Sequence, residues 1–131
     1  MTYGFSARMD NKPFDEVVTQ VTAALREEGF GVLSDLDIQA AMREKLGATM
    51  PRYRILGACN PPLAHSALQA EPDIGLLLPC NVVVREDAEG QVTVSFIDPD
   101  RMVELVHKPE IDDVAREAKE RLQRVRDRLL Q

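Results

Sequence analysis

Two short segments hold the residues of this chain whose types and spacing could do chemistry. Gly57-Ala58-Cys59-Asn60-Pro61-Pro62-Leu63-Ala64-His65 and Leu78-Pro79-Cys80-Asn81-Val82-Val83-Val84 each carry a Cys-Asn pair next to proline. A thiol one residue ahead of a helix cap sits in the positive field of the helix end, where free amides would stabilise a thiolate and lower the pKa. His65 falls about one and a half turns into that helix, so its ring is expected to reach back toward Cys59. If the strand entered at Cys80 runs beside the one leaving at Cys59, then Cys59, His65 and Cys80 bring together two thiolates and an imidazole. That set suits a soft divalent or cuprous ion. Asn60 and Asn81 would line a polar pocket with the helix amides, a place for a small anion.

Each reading has a plainer counterpart. The spacing Cys-x5-His-x14-Cys does not match a paired zinc motif, and no fourth ligand stands out; His107 and Asp98 qualify only by residue type. Free cysteine is among the most buried residue types, so Cys59 and Cys80 also read as small core residues. Asn60 and Asn81 also read as cap and turn residues bonding to nearby backbone. A thiol enzyme with Cys59 as nucleophile and His65 as base is a third option. The chain contains no Gly-x-Gly-x-x-Gly, Walker loop, Gly-x-Ser-x-Gly or His-Glu-x-x-His. Asp35-Leu36-Asp37 and Asp98-Pro99-Asp100 are accounted for by a strand end with its cap and by a turn.

The elements that must position these residues follow from apolar spacing. A half-buried strand is predicted over Thr2 to Arg8. Phe14, Val17, Val18, Val21 and Leu25 then lay one stripe along a first helix that Gly29 ends. Phe30 to Leu36 reads as a strand, and Asp37 caps a short helix carrying Ile38, Met42 and Leu46. Arg52 to Ala58 is a third strand, and Asn60 with Pro61 begins a helix to about Ala70. Ile74 to Leu78 is apolar but runs into Pro79, which marks a bulge, an edge or the true strand start. Asn81 to Glu86 and Gln91 to Ile97 form a hairpin around Asp87-Ala88-Glu89-Gly90. A short helical turn after Asp98-Pro99 and a final helix with Ile111, Val114, Ala115, Ala118, Leu122, Val125 and Leu129 in one stripe complete the chain. The order β-α-β-α-β-α-β-β-α predicts an α+β, two-layer fold: a mixed or antiparallel sheet with helices packed on one face.

The chain has 131 residues, 44% hydrophobic and 29% charged, which suits a single domain over residues 1–131 and excludes a disordered or disulfide-scaffold class. Sixteen Lys and Arg against twenty-two Asp and Glu give a net charge of -6, so nucleic acid is not an expected partner. The basic tail from Arg116 reads as cations complementing a helix C-terminus. No apolar stretch is long enough to span a bilayer, and Met1 to Asp10 lacks the basic start and apolar run of a signal peptide. A cytoplasmic protein with no membrane partner is expected, its cysteines free thiols.

The segments Gly29-Phe30-Gly31-Val32-Leu33, Asp35 to Asp37, Tyr53 to Pro62 and Gly75 to Val84 together closely resemble the domain of unknown function 302 family, in order, from about Tyr3 to the end. The resemblance implies a small two-layer α+β fold that associates as dimers, and it implies no activity. The first expectation is a ligand- or metal-binding module built on Cys59, Asn60, His65, Cys80 and Asn81, with Cys59, His65 and Cys80 as metal ligands. The alternative is a homodimeric interaction protein whose cysteines only fill the core.

Overall fold

The computed structural model describes residues 1–131. Five strands form one sheet in the order β1-β5-β4-β3-β2: β1 (Gly4–Met9), β2 (Gly31–Asp37), β3 (Tyr53–Cys59), β4 (Cys80–Glu86) and β5 (Val92–Ile97). Every neighbouring pair is antiparallel, which decides between the two sheet types that the element order allowed. The helices are α1 (Phe14–Glu27), α2 (Ile38–Leu46), α3 (Pro61–Ala70), α4 (Pro99–Met102) and α5 (Pro109–Leu129).

Alternation along the strands divides the sheet into two chemically different faces. Ala7, Met9, Leu56, Ala58, Val82, Val84, Val92, Val94 and Phe96 point to one side and are buried beneath α1 and α5. α1 contributes Phe14, Val17, Val21 and Leu25 to this core, and α5 contributes Leu122, Val125 and Leu129. On the other face, Leu36, Ile55, Val83 and Ser95 stand side by side across four strands, exposed or half-buried.

α1 ends as its glycine predicts. Gly29 takes φ +83, and the amides of Phe30 and Gly29 bond to the carbonyls of Leu25 and Arg26, a Schellman closure that also brings buried Phe30 to buried Leu25. The α5 arginines serve this end of α1 as well as their own. Arg121 Nη1 donates to the Glu28 carbonyl at 3.1 Å, while Arg124 Nε and Arg128 Nη2 donate to its carboxylate at 2.8 and 3.1 Å.

Three local expectations change. The apolar run from Ile74 lies in a 3-10 helix, Pro72–Leu77, and the strand begins only at Cys80, after a cis Leu78–Pro79 peptide. α2 is capped by Asp37, whose side chain accepts from the Ala40 amide at 2.9 Å, yet none of its residues is buried and Leu46 is 75% exposed. β3 extends to Cys59, so that residue closes a strand and directly precedes the helix cap.

Candidate functional site: an apolar cavity at the ends of β3 and β4

β3 leaves the sheet at Cys59 and β4 enters it at Cys80, with Ala58 opposite Cys80 in the register. The adjacent strand β2 carries a bulge between Val32 and Ser34, which leaves Leu33 outside the regular pairing and 71% exposed. α3 crosses above these strand ends and packs along α5. Between them lies a cavity of about 300 Å3. Its existence follows from side-chain size. Where α3 and α5 line it, many positions are alanine (Ala64 and Ala67 on one helix, Ala115 and Ala118 on the other), so the helices approach without filling the space beside the sheet. Leu63, Leu68, Ile74, Leu78, Met102, Val103 and Ile111 complete walls that are apolar almost throughout, and no charged side chain lines them. A volume of this size falls at the small end of ligand pockets.

Cys59, Asn60 and Cys80 line the cavity; His65 and Asn81 do not. His65 is exposed on the outer side of α3, its Nε2 3.5 Å from Gln69 Nε2. Asn81 pairs with Gly57 on the uncovered face of the sheet and is exposed. The expected convergence of Cys59, His65 and Cys80 therefore does not occur, and no group of three or more His, Cys, Asp or Glu side chains comes together where it could hold a metal ion. Asp98 caps α4 through the Asp100 amide and pairs with Lys119 at 3.1 Å, and His107 is exposed in a left-handed turn.

The thiols differ from the sequence expectation in acidity as well. Burial pushes the Cys59 thiol up, and burial first, then the neighbouring Cys59, push Cys80 up to about 11. The helix end does not oppose this, because it has no amide to spare. Pro61 and Pro62 carry no N–H, the Leu63 amide donates to Asn60 Oδ1 at 3.3 Å, and the Ala64 amide donates to the Asn60 carbonyl at 2.9 Å. Asn60 is thus the cap, as its sequence position suggested, and the anion site imagined at the same helix has no free donors. Both cysteines are free thiols.

Gly57 holds the strands close together beside this site. A β-carbon there would press on Ser34 Oγ and lie 2.8 Å from Pro79 Cγ, so only glycine lets the Pro79 ring rest against β3. Among the cavity residues that the sequence did not mark as a site are Leu33 and the four alanines. Ala115 and Ala118 stand on the apolar stripe of the last helix, where small size passes for core packing.

Three comparisons bear on the chain as a whole. An uncharacterized protein of Aquifex aeolicus (strain VF5) is 23% identical over 104 residues, 79% of this chain and 66% of that protein, so the chain spans just under two thirds of that relative's length. The crystal structure of an uncharacterized conserved DUF302 protein from Bacillus stearothermophilus superposes with a TM-score of 0.88 at 25% identity, covering 98% of each chain. Residues 5–129, nearly the full length and every element from β1 to α5, match the family described as Domain of unknown function DUF302, and the chain belongs to that family.

Proposed function

We propose that this protein is a small-molecule binding module whose cavity, bounded by α3, α5 and the ends of β3 and β4, holds a small apolar ligand. The observation that carries this reading is the cavity: about 300 Å3 of space lined by apolar side chains, with Leu33 exposed on its lining and Asn60 among its few polar groups. Close packing is the rule in interiors, so unfilled space kept open by facing alanines is a feature to be explained. Cys59 and Cys80 supply polarisable, protonated walls in this reading, and no metal is required. Soft-metal binding would have to draw further ligands from outside the chain or from solvent.

The test is ligand binding to wild type and to Ala64→Phe, which fills the space from a half-buried position on α3. Wild type should gain thermal stability with small apolar probes such as toluene, by about 2.7 kcal/mol when the free probe is a hundred times its Kd. Ala64→Phe should fold and lose that gain. Equal stabilisation of both proteins, or of neither, would remove the cavity as a binding site.

A second reading is favoured by a separate observation: the row Leu36, Ile55 and Val83 on the uncovered sheet face, together with a helix α2 that buries none of its residues. A homodimer covering these surfaces would account for both. The two readings use different faces of the molecule and do not compete.

A further inference from the structure

We propose that the segment from Pro61 to Leu77, α3 with the 3-10 helix that follows it, is a lid on the cavity, latched by Lys108 and lifted as one piece to admit the ligand. The proposal rests on the cavity reading above and adds to it the way the site opens.

The cavity lies between two separate apolar cores. The sheet core reaches it through Phe30, Ala58 and Cys80, while Ala67, Ile74, Val103, Ile111 and Ala115 form a second, smaller core on its other side. Ala67 and Ile74 of that second core belong to the segment and are its only buried residues, whereas α1 alone buries five. Lifting the segment uncovers these two side chains and the three they pack with; its other cavity walls already face open space. Few buried apolar contacts place a segment at the low-stability end of a structure. Of the residues that line the cavity, Leu33, Leu68 and Gly75 are the exposed ones, and Leu68 and Gly75 ride on the segment. The mouth of the cavity therefore runs along the edge of the lid.

The two ends of the segment are fixed and its middle is held by one side chain. At the start, Asn60 caps α3 through the Leu63 amide at 3.3 Å; past the end, the Pro79 ring rests against Gly57 of β3. β3 and β4 are paired neighbours, so the segment leaves and returns at adjacent strand ends, as a flap on one hinge line does. Lys108, just before α5, reaches the far end of α3. Its Nζ donates to the Ala70 carbonyl at 2.9 Å and pairs with Glu71 Oε2 at 3.1 Å. The last carbonyls of a helix have no partner within it, and a cation there satisfies one and complements the dipole. Apart from the Asn60 cap, no other side-chain hydrogen bond or ion pair ties the segment to the rest of the chain.

Hydrogen–deuterium exchange of the whole chain, with and without toluene, tests the lid on wild type, Lys108→Met and Glu71→Gln. Arg8→Met, which breaks an exposed ion pair on β1, is the control. In wild type the amides from Ala64 to Glu71 should exchange at least tenfold faster than those of β4 and β5. Toluene at a hundred times its Kd should slow them about a hundredfold, because the open form does not hold it. Lys108→Met should speed them about three- to tenfold, the contribution of one hydrogen bond, with β4 and β5 unchanged; Glu71→Gln should act in the same direction and Arg8→Met not at all. Lid amides that exchange no faster than those of β4 and β5, that Lys108→Met leaves unmoved, or that bound toluene does not slow would overturn the lid and leave the cavity reading standing. Failure of toluene to bind wild type overturns both.

Discussion

Because Pro61 and Pro62 remove two N–H groups and Asn60 occupies the next two amides with its side chain and carbonyl, Cys59 faces a helix start that can stabilise no thiolate. Burial then sets the acidity of both thiols, upward. The residues responsible stand in the sequence, and the prolines that mark the helix start are also what disarm it. In native protein at pH 7.5, both cysteines should react with a disulfide reagent at least tenfold more slowly than in urea, Cys80 the slower. A folded-state rate for Cys59 exceeding the unfolded rate would show an activated thiol and revive the nucleophile. Gly57 makes the second prediction at this scale. Gly57→Ala drives a methyl into Ser34 and the Pro79 ring and should cost about 1–3 kcal/mol in urea unfolding. A loss below about 0.5 kcal/mol would mean that the β3–Pro79 contact is looser than its geometry.

At the scale of elements, α5 is the member that joins the molecule, packing on α1, α3, α4 and β1. Its arginines converge on Glu28, the buried residue that ends α1. Burial raises the Glu28 carboxyl, but the hydrogen bonds and charges of Arg124 and Arg128 outweigh it and hold the pKa below the ordinary 4.5. A carboxyl more acidic in the folded than in the unfolded chain contributes stability that is present above the unfolded value and lost as pH falls through the folded one. Glu28→Gln should therefore be destabilised by about 1–3 kcal/mol at pH 7. The difference from wild type should shrink below pH 4.5 and vanish once the native carboxyl is protonated. A difference that stays constant from pH 7 to pH 3 would assign the loss to packing. The stripes that build α1 and α5 are legible because their periodicity is strong and local. So are the β4–β5 hairpin and the Asp37 and Asn60 caps. The 3-10 turn at Pro72–Leu77 is not, since a short apolar run satisfies several conformations. The cavity is not legible for a deeper reason: its walls come from β2, β3, β4, the 3-10 turn and helices α3, α4 and α5, and an alanine carries no mark of whether its neighbour is another side chain or empty space.

At the scale of the whole molecule, the two-layer arrangement leaves one sheet face without a covering layer. Antiparallel sheets commonly turn a polar face to water, and Ser6, Ser95 and Thr93 follow that rule. Leu36, Ile55 and Val83 break it, adjacent on three neighbouring strands, and α2 adds Ile38, Met42 and Leu46 on a helix too short to be stable by itself in water. No helix of the molecule is long and apolar enough to cross a membrane. A net charge of -6 opposes close approach of two copies at long range, but added salt screens it within about 10 Å at 0.1 M and leaves apolar contact intact. Sedimentation equilibrium is therefore the decisive measurement. If the open face joins two copies, wild type sediments as a dimer whose association strengthens or holds as salt rises from 0.05 to 0.5 M. Val83→Lys, a change on the uncovered face that leaves the core beneath α1 and α5 untouched, then yields a folded monomer. A wild-type monomer at 100 µM, or a dimer that Val83→Lys leaves intact, would place the association elsewhere and leave the row of Leu36, Ile55 and Val83 facing water.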